Sequence, residues 1–132
     1  MIKKIFFTIL LTVNCFGFSQ NVSRENAEIL YGEKKFQEAK DMFDQVIKQD
    51  PGDFIAYYDR AVTEIELKQL DNALKDINKS IELSPRSIKL YCCRSIIYCH
   101  LGNYEKSIED ADYVISKAIM YADAYNQRGY VY

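Results

Sequence analysis

The sequence predicts an all-α solenoid assembled from stacked helix pairs, and three observations predict it. Residues of matched size recur at a 34-residue offset: Phe36, Leu70 and Tyr104; Ala39, Ala73 and Ser107; Phe43, Ile77 and Ala111. Within each unit the apolar residues fall at helical rather than strand spacing, as in Phe36, Ala39, Phe43, Val46 and Ile47, which form one stripe. Pro51 and Pro85, again 34 apart, close successive units, because proline discourages helical geometry in the residue before it. The same offset carries Tyr57 to Tyr91 and Tyr125, Arg60 to Arg94 and Arg128, and Ala61 to Ser95 and Gly129.

On these residues the chain resembles the tetratricopeptide repeat family. Its helix pairs carry an aromatic, small and bulky pattern with a closing proline at this period. In that register the repeats are 20–53, 54–87 and 88–121, with a partial fourth at 122–132, so the repeat domain spans 20–132. The resemblance implies a right-handed α-solenoid with a concave groove used for protein–protein contacts. It does not imply a particular activity, since such folds host many partners.

The elements follow in order. Met1-Ile-Lys-Lys is a short basic start, and Ile5–Val13 is an apolar run broken only by Thr8 and Thr12. The run is too short to span a bilayer, which takes about 20 apolar residues. Gly17-Phe18-Ser19 offers small residues before a cut at Gln20. Residues 1–19 therefore read as a secretory signal peptide, and the mature chain as exported, periplasmic or secreted, in a bacterial setting. Asn14 stands before Cys15 where a lipoprotein box wants Gly, Ala or Ser, which argues against a lipid anchor.

Helix A of repeat 1 is expected over Val22–Tyr31, ended by Gly32, and helix B over Phe36–Gln49. In repeat 2, Asp53 is a candidate N-cap for a helix reaching Lys68, and helix B covers Asp71–Leu83. Glu64 stands there where the family has an aromatic. In repeat 3, helix A runs over Ser87–Leu101, Gly102-Asn103 turns, and helix B runs over Tyr104–Ala118. Ala118-Ile119 replaces the closing proline pair, and a fourth helix A is expected from Ala122. Such a helix without its partner leaves an apolar face, which invites self-association or belongs to a longer chain. The latter would make this segment an N-terminal sensory or assembly module of a larger envelope protein.

Composition is that of an ordinary globular domain, 48% hydrophobic and 27% charged. The net charge is −2; without Lys3 and Lys4 the balance is 15 basic against 19 acidic residues, or −4. A nucleic-acid partner would want a basic face, so none is expected. No other run is long enough to span a membrane. There is no glycine-rich phosphate loop, and one histidine without an evident partner makes no catalytic set. The chain is read as non-catalytic, without cofactor or metal.

By the family's register, groove positions are Arg24, Glu28 and Tyr31 in repeat 1, and Ile55, Tyr58, Val62 and Ile65 in repeat 2. They continue as Lys89, Cys92, Ile96 and Cys99 in repeat 3, then Asp123, Asn126 and Tyr130. Its middle is apolar, as where a peptide or helix docks. Tyr58, Val62, Ile65, Lys89, Cys92, Ile96 and Tyr130 are the expected partner contacts. Chaperone-binding members hold a C-terminal carboxylate with Lys and Asn residues. Those positions are Arg24, Glu28, Asp59, Lys89 and Cys93 here; only Arg24 and Lys89 keep the charge, so the clamp is not present and that ligand is not expected. Cys92, Cys93, Cys99 and His100 lie on one helix. Cys92 and Cys99 sit roughly 10 Å apart along its axis, too far for one zinc ion or a disulfide. The thiols read as small apolar filler, with a redox or metal role as the alternative. Lys75, Asp76 and Lys79 read as a solvated outer face.

Overall fold

A computed structural model describes residues 22–129 of the chain, with side chains through residue 123. Residues 1–19, expected to be a signal peptide, and Tyr130 lie outside the described residues. Six helices follow one another, with no strand among the described residues: α1 (Arg24–Gly32), α2 (Phe36–Gln49), α3 (Phe54–Glu66), α4 (Leu70–Leu83), α5 (Ile88–His100) and α6 (Tyr104–Gly129). Each packs on the next. In addition α1 meets α3 and α3 meets α5, whereas α2 and α4 do not meet. The first helices of the pairs thus lie side by side on the inner, concave surface, and the second helices splay outside. This is an α-solenoid.

Small residues set the crossings within each pair. Ala27 and Ala39, then Ala61 and Ala73, are fully buried, so the helices approach closely. In the third pair Ser95 and Ser107 take these places. Ser95 Oγ donates to the Ser107 carbonyl and Ser107 Oγ to that of Ser95, each at 2.8 Å. A serine is tolerated at such a crossing because both hydroxyls find carbonyls. Large side chains fill the space beside the crossings: Phe43, Ile77, Leu90 and Ile97 are buried.

The helix starts are capped where the sequence supplies an acceptor. Ser23 Oγ accepts from the Asn26 amide, and Asp53 Oδ1 accepts from the Ile55 and Ala56 amides at 3.0 and 3.1 Å, satisfying donors the helix leaves orphaned. The turns within pairs share one device. Lys34 (φ 61°), Lys68 (φ 61°) and Gly102 (φ 75°), each 34 residues on, adopt the left-handed conformation. Gly32, expected to end the first helix, is its last helical residue instead; Lys34 makes the turn.

Two expectations are corrected. No break separates a helix ending at Ala118 from one starting at Ala122: α6 is continuous over Tyr104–Gly129. Ala118-Ile119 carries neither the proline nor the left-handed residue that ends the other helices, so the chain continues its helical hydrogen bonding. Nor is Asp76 on a solvated face. It is buried and receives the Arg60 guanidinium in a two-pronged contact, Nη2 to Oδ1 at 2.7 Å and Nε to Oδ2.

That contact recurs. Arg60 also donates to Asp44 Oδ1 at 2.8 Å. One repeat on, Arg94 donates to both oxygens of Asp110, at 2.7 and 2.8 Å, and to Asn78 Oδ1 at 2.9 Å. Each arginine therefore ties its own helix to the second helix of its repeat and to that of the preceding one. Burial works against the charge of Arg60, but Asp76 and Asp44 outweigh it and raise its pKa.

Candidate partner-binding groove

Successive first helices of the repeats expose one face between them, and the concave surface is built from these faces. Tyr58, Val62 and Ile65 on α3 fall three and four residues apart; Lys89, Cys92 and Ile96 on α5 do the same, so each trio shares a helix face. Together they line one open cavity of about 360 Å³, with Glu66 and Cys93. Six of the seven expected contacts thus come together, and Tyr130 is outside the described residues. The cavity is apolar in character, and Ile96 is 48% exposed. A neighbouring depression of about 170 Å³ adds Ile55, Phe54 and Leu90.

Polar groups frame this floor. Lys89 Nζ sits 4.2 Å over the Tyr58 ring, where the ring's negative face attracts it. Towards α1, a cavity of about 70 Å³ is lined by Glu28, Tyr31, Phe43, Asp59 and Val62. Val62 lines both cavities, so the two adjoin. Asp59 Oδ2 is covered and has no hydrogen-bond partner. Burial, then the Glu28 carboxylate, push the Asp59 pKa up to about 6, against Lys89 and Arg24. Arg24 is engaged elsewhere, with Glu28 at 3.3 Å and Asp53 at 3.1 Å.

Among the described residues the cysteines take three positions. Cys92 is exposed on the groove, Cys99 is exposed at the end of α5, and Cys93 is buried. Burial pushes the Cys93 thiol up to about 11. Among the described residues no group of three His, Cys, Asp and Glu side chains is placed to hold a metal ion, and no helix is long and apolar enough to cross a membrane.

Sequence reasoning missed the half-buried Asp59, the buried Glu64 and the acidic partners of the two arginines. The signal for the last was present: Asp76 and Asp110 each follow their arginine by 16 residues. Glu64 was noted only as a departure from an aromatic. It is 3% exposed, with Oε2 unpartnered. Burial, then the Asp76 charge, raise its pKa to about 7, opposed by Arg60 and Lys40.

Comparison with known proteins agrees with this architecture. Two family models described as tetratricopeptide repeat match residues 30–86 and 77–109, together more than half the chain. Hsp70-Hsp90 organizing protein 3 of Arabidopsis thaliana is 35% identical over 86 residues, covering 65% of this chain and 15% of that protein. Tetratricopeptide repeat protein 6 of Homo sapiens is 31% identical over 103 residues, covering 78% of this chain and 20% of that protein. The chain therefore spans a small part of the curated relatives it matches. Among solved structures, the second TPR of Spaghetti (RPAP3) bound to the HSP90 peptide SRMEEVD superposes with a TM-score of 0.67 at 20% identity, over 70% of this chain and 85% of that one. MamA superposes with a TM-score of 0.69 at 18% identity, over 74% and 57%. These structures share the fold. With the period, the crossings and the matched models in agreement, the chain belongs to the tetratricopeptide repeat family.

Proposed function

We propose that the chain is a non-catalytic scaffold that holds a peptide or a partner helix in its concave groove. The observation that carries this reading is the open apolar cavity between α3 and α5, floored by Tyr58, Val62, Ile65 and Ile96. An exposed apolar surface bounded by polar groups costs free energy in water and is relieved by docking. The similar domains solved with bound peptides support the reading. A displayed library of random dodecapeptides panned on the immobilised protein tests it. Recovered peptides should bind the wild type and lose binding to a Tyr58→Asp/Ile65→Asp double variant whose far-UV circular dichroism is unchanged. Equal binding to both proteins would sink the groove assignment.

A second reading concerns α6, where Ile108, Ile115 and Ile119 are exposed and recur at helical spacing. A second copy of the chain can cover these side chains by laying its own α6 across this face.

A further inference from the structure

We propose that the occupant of the groove is a cationic segment, a peptide carrying Lys or Arg between aliphatic residues, with its basic head placed against Asp59 at the α1–α3 end. This rests on the groove reading above and adds the chemistry of the partner.

Three observations carry it. First, three carboxylates line the groove's cavities against one ammonium, that of Lys89. Glu28, Asp59 and Glu66 stand around the floor formed by Tyr31 and Val62, and burial together with the Glu66 charge raises the Tyr31 phenol. Secondly, neither nearby cation donates a hydrogen bond to Asp59, although both act on its charge. Arg24 is held by Glu28 and Asp53, and Lys89 lies on the Tyr58 ring. Thirdly, Asp59 Oδ2 is a covered acceptor with no hydrogen-bond partner, beside a cavity of about 70 Å³. A covered carboxylate oxygen without a donor is costly. An incoming ammonium or guanidinium in the cavity supplies the opposite charge, and a turn of the Asp59 carboxyl about χ2 brings Oδ2 to it as an acceptor. The aliphatic residues on either side of it then reach Val62, Ile65 and Ile96 in the larger cavity.

The opposite chemistry is disfavoured by the same geometry. The peptide SRMEEVD, held by a similar solved domain, ends in acidic residues. Laid along this groove, such a tail would bring its carboxylates against Glu28, Asp59 and Glu66, where like charges repel.

The recovered dodecapeptides decide the matter. Synthetic copies, and counterparts with each Lys or Arg changed to Glu, are titrated by fluorescence anisotropy against wild type, Asp59→Asn and Tyr58→Asp. The expected result is a basic–aliphatic consensus, no binding by the charge-reversed counterparts, and about tenfold weaker binding to Asp59→Asn. Affinity should also fall as salt is raised. Asp59→Asn removes a charge that has no partner, so its melting temperature should not fall, and that measurement separates lost binding from lost fold. Neutral or acidic peptides that bind the wild type and are lost on Tyr58→Asp would overturn the cationic assignment while leaving the groove reading intact. Peptides that bind independently of both Tyr58 and Asp59 would overturn both.

Discussion

Glu64 offers the sharpest test of the buried network behind the groove. Its carboxyl is 3% exposed, and its pKa is raised from 4.5 to about 7, first by burial and then by Asp76. A raised acid binds more protons folded than unfolded between those values. Stability therefore falls as pH rises through that window and levels off above it. The shift corresponds to about 3 kcal/mol at most, taking about 1.4 kcal/mol per pKa unit. Glu64→Gln keeps the shape but removes the charge. Some desolvation cost of a polar group stays, which leaves an expected gain of about 1–2 kcal/mol at pH 8. For a domain of this size that is a melting temperature higher by about 4–16 °C. At pH 5 the gain should be gone or turned into a small loss, because the folded wild type is already protonated and the polar cost of the glutamine stays. Asp59 contributes pH dependence of the same sign, and it cancels in the difference between variant and wild type. The assay is thermal denaturation followed by circular dichroism at both pH values. A variant destabilised equally at pH 5 and pH 8 would refute the argument. It would mean that Glu64 is an ionised member of the Arg60 and Lys40 network whose attraction exceeds its burial cost.

Two further predictions follow from the repeat geometry. Lys68 holds a left-handed turn (φ 61°) that Gly102 occupies one repeat later, so Lys68→Gly should raise stability by about 0.5–1 kcal/mol, and Gly102→Ala should lower it by a similar amount; urea titrations with opposite signs would contradict this. If α6 pairs with a second copy, light scattering across a concentration series should show a dimer that Ile115→Glu dissolves, and a monomer at all concentrations would dismiss the pairing.

The sequence made the period legible because size, not chemistry, repeats: Ala39, Ala73 and Ser107 need only be small. It made the groove legible because Tyr58, Val62, Ile65 and Ile96 are apolar at register positions away from the helix crossings. The end of the third repeat was misjudged. There the period continues in Tyr125 and Arg128, while the residues that would turn the chain are absent, and helix propagation follows local chemistry rather than the pattern of an earlier repeat.

The polar framework was hidden for a different reason. On its own helix Asp76 sits between Lys75 and Lys79, and such a run looks solvated. Burial of Asp76 depends on a guanidinium from another helix, 16 residues back. A carboxylate enters an interior when a partner of opposite charge and matching geometry meets it there, and one left alone is strongly disfavoured. The pair must therefore be read together. Arg60 with Asp76 and Arg94 with Asp110 recur as a unit of the period, as the small residues do. Glu64 shows the converse. It enters the interior beside Asp76 without a donor for Oε2, and nothing in its own segment of sequence announces that cost. Acids drawn out of water in a repeat array are thus legible where their cation repeats with them, and illegible where they stand alone, which is the case for buried Glu64 and for half-buried Asp59 in the groove.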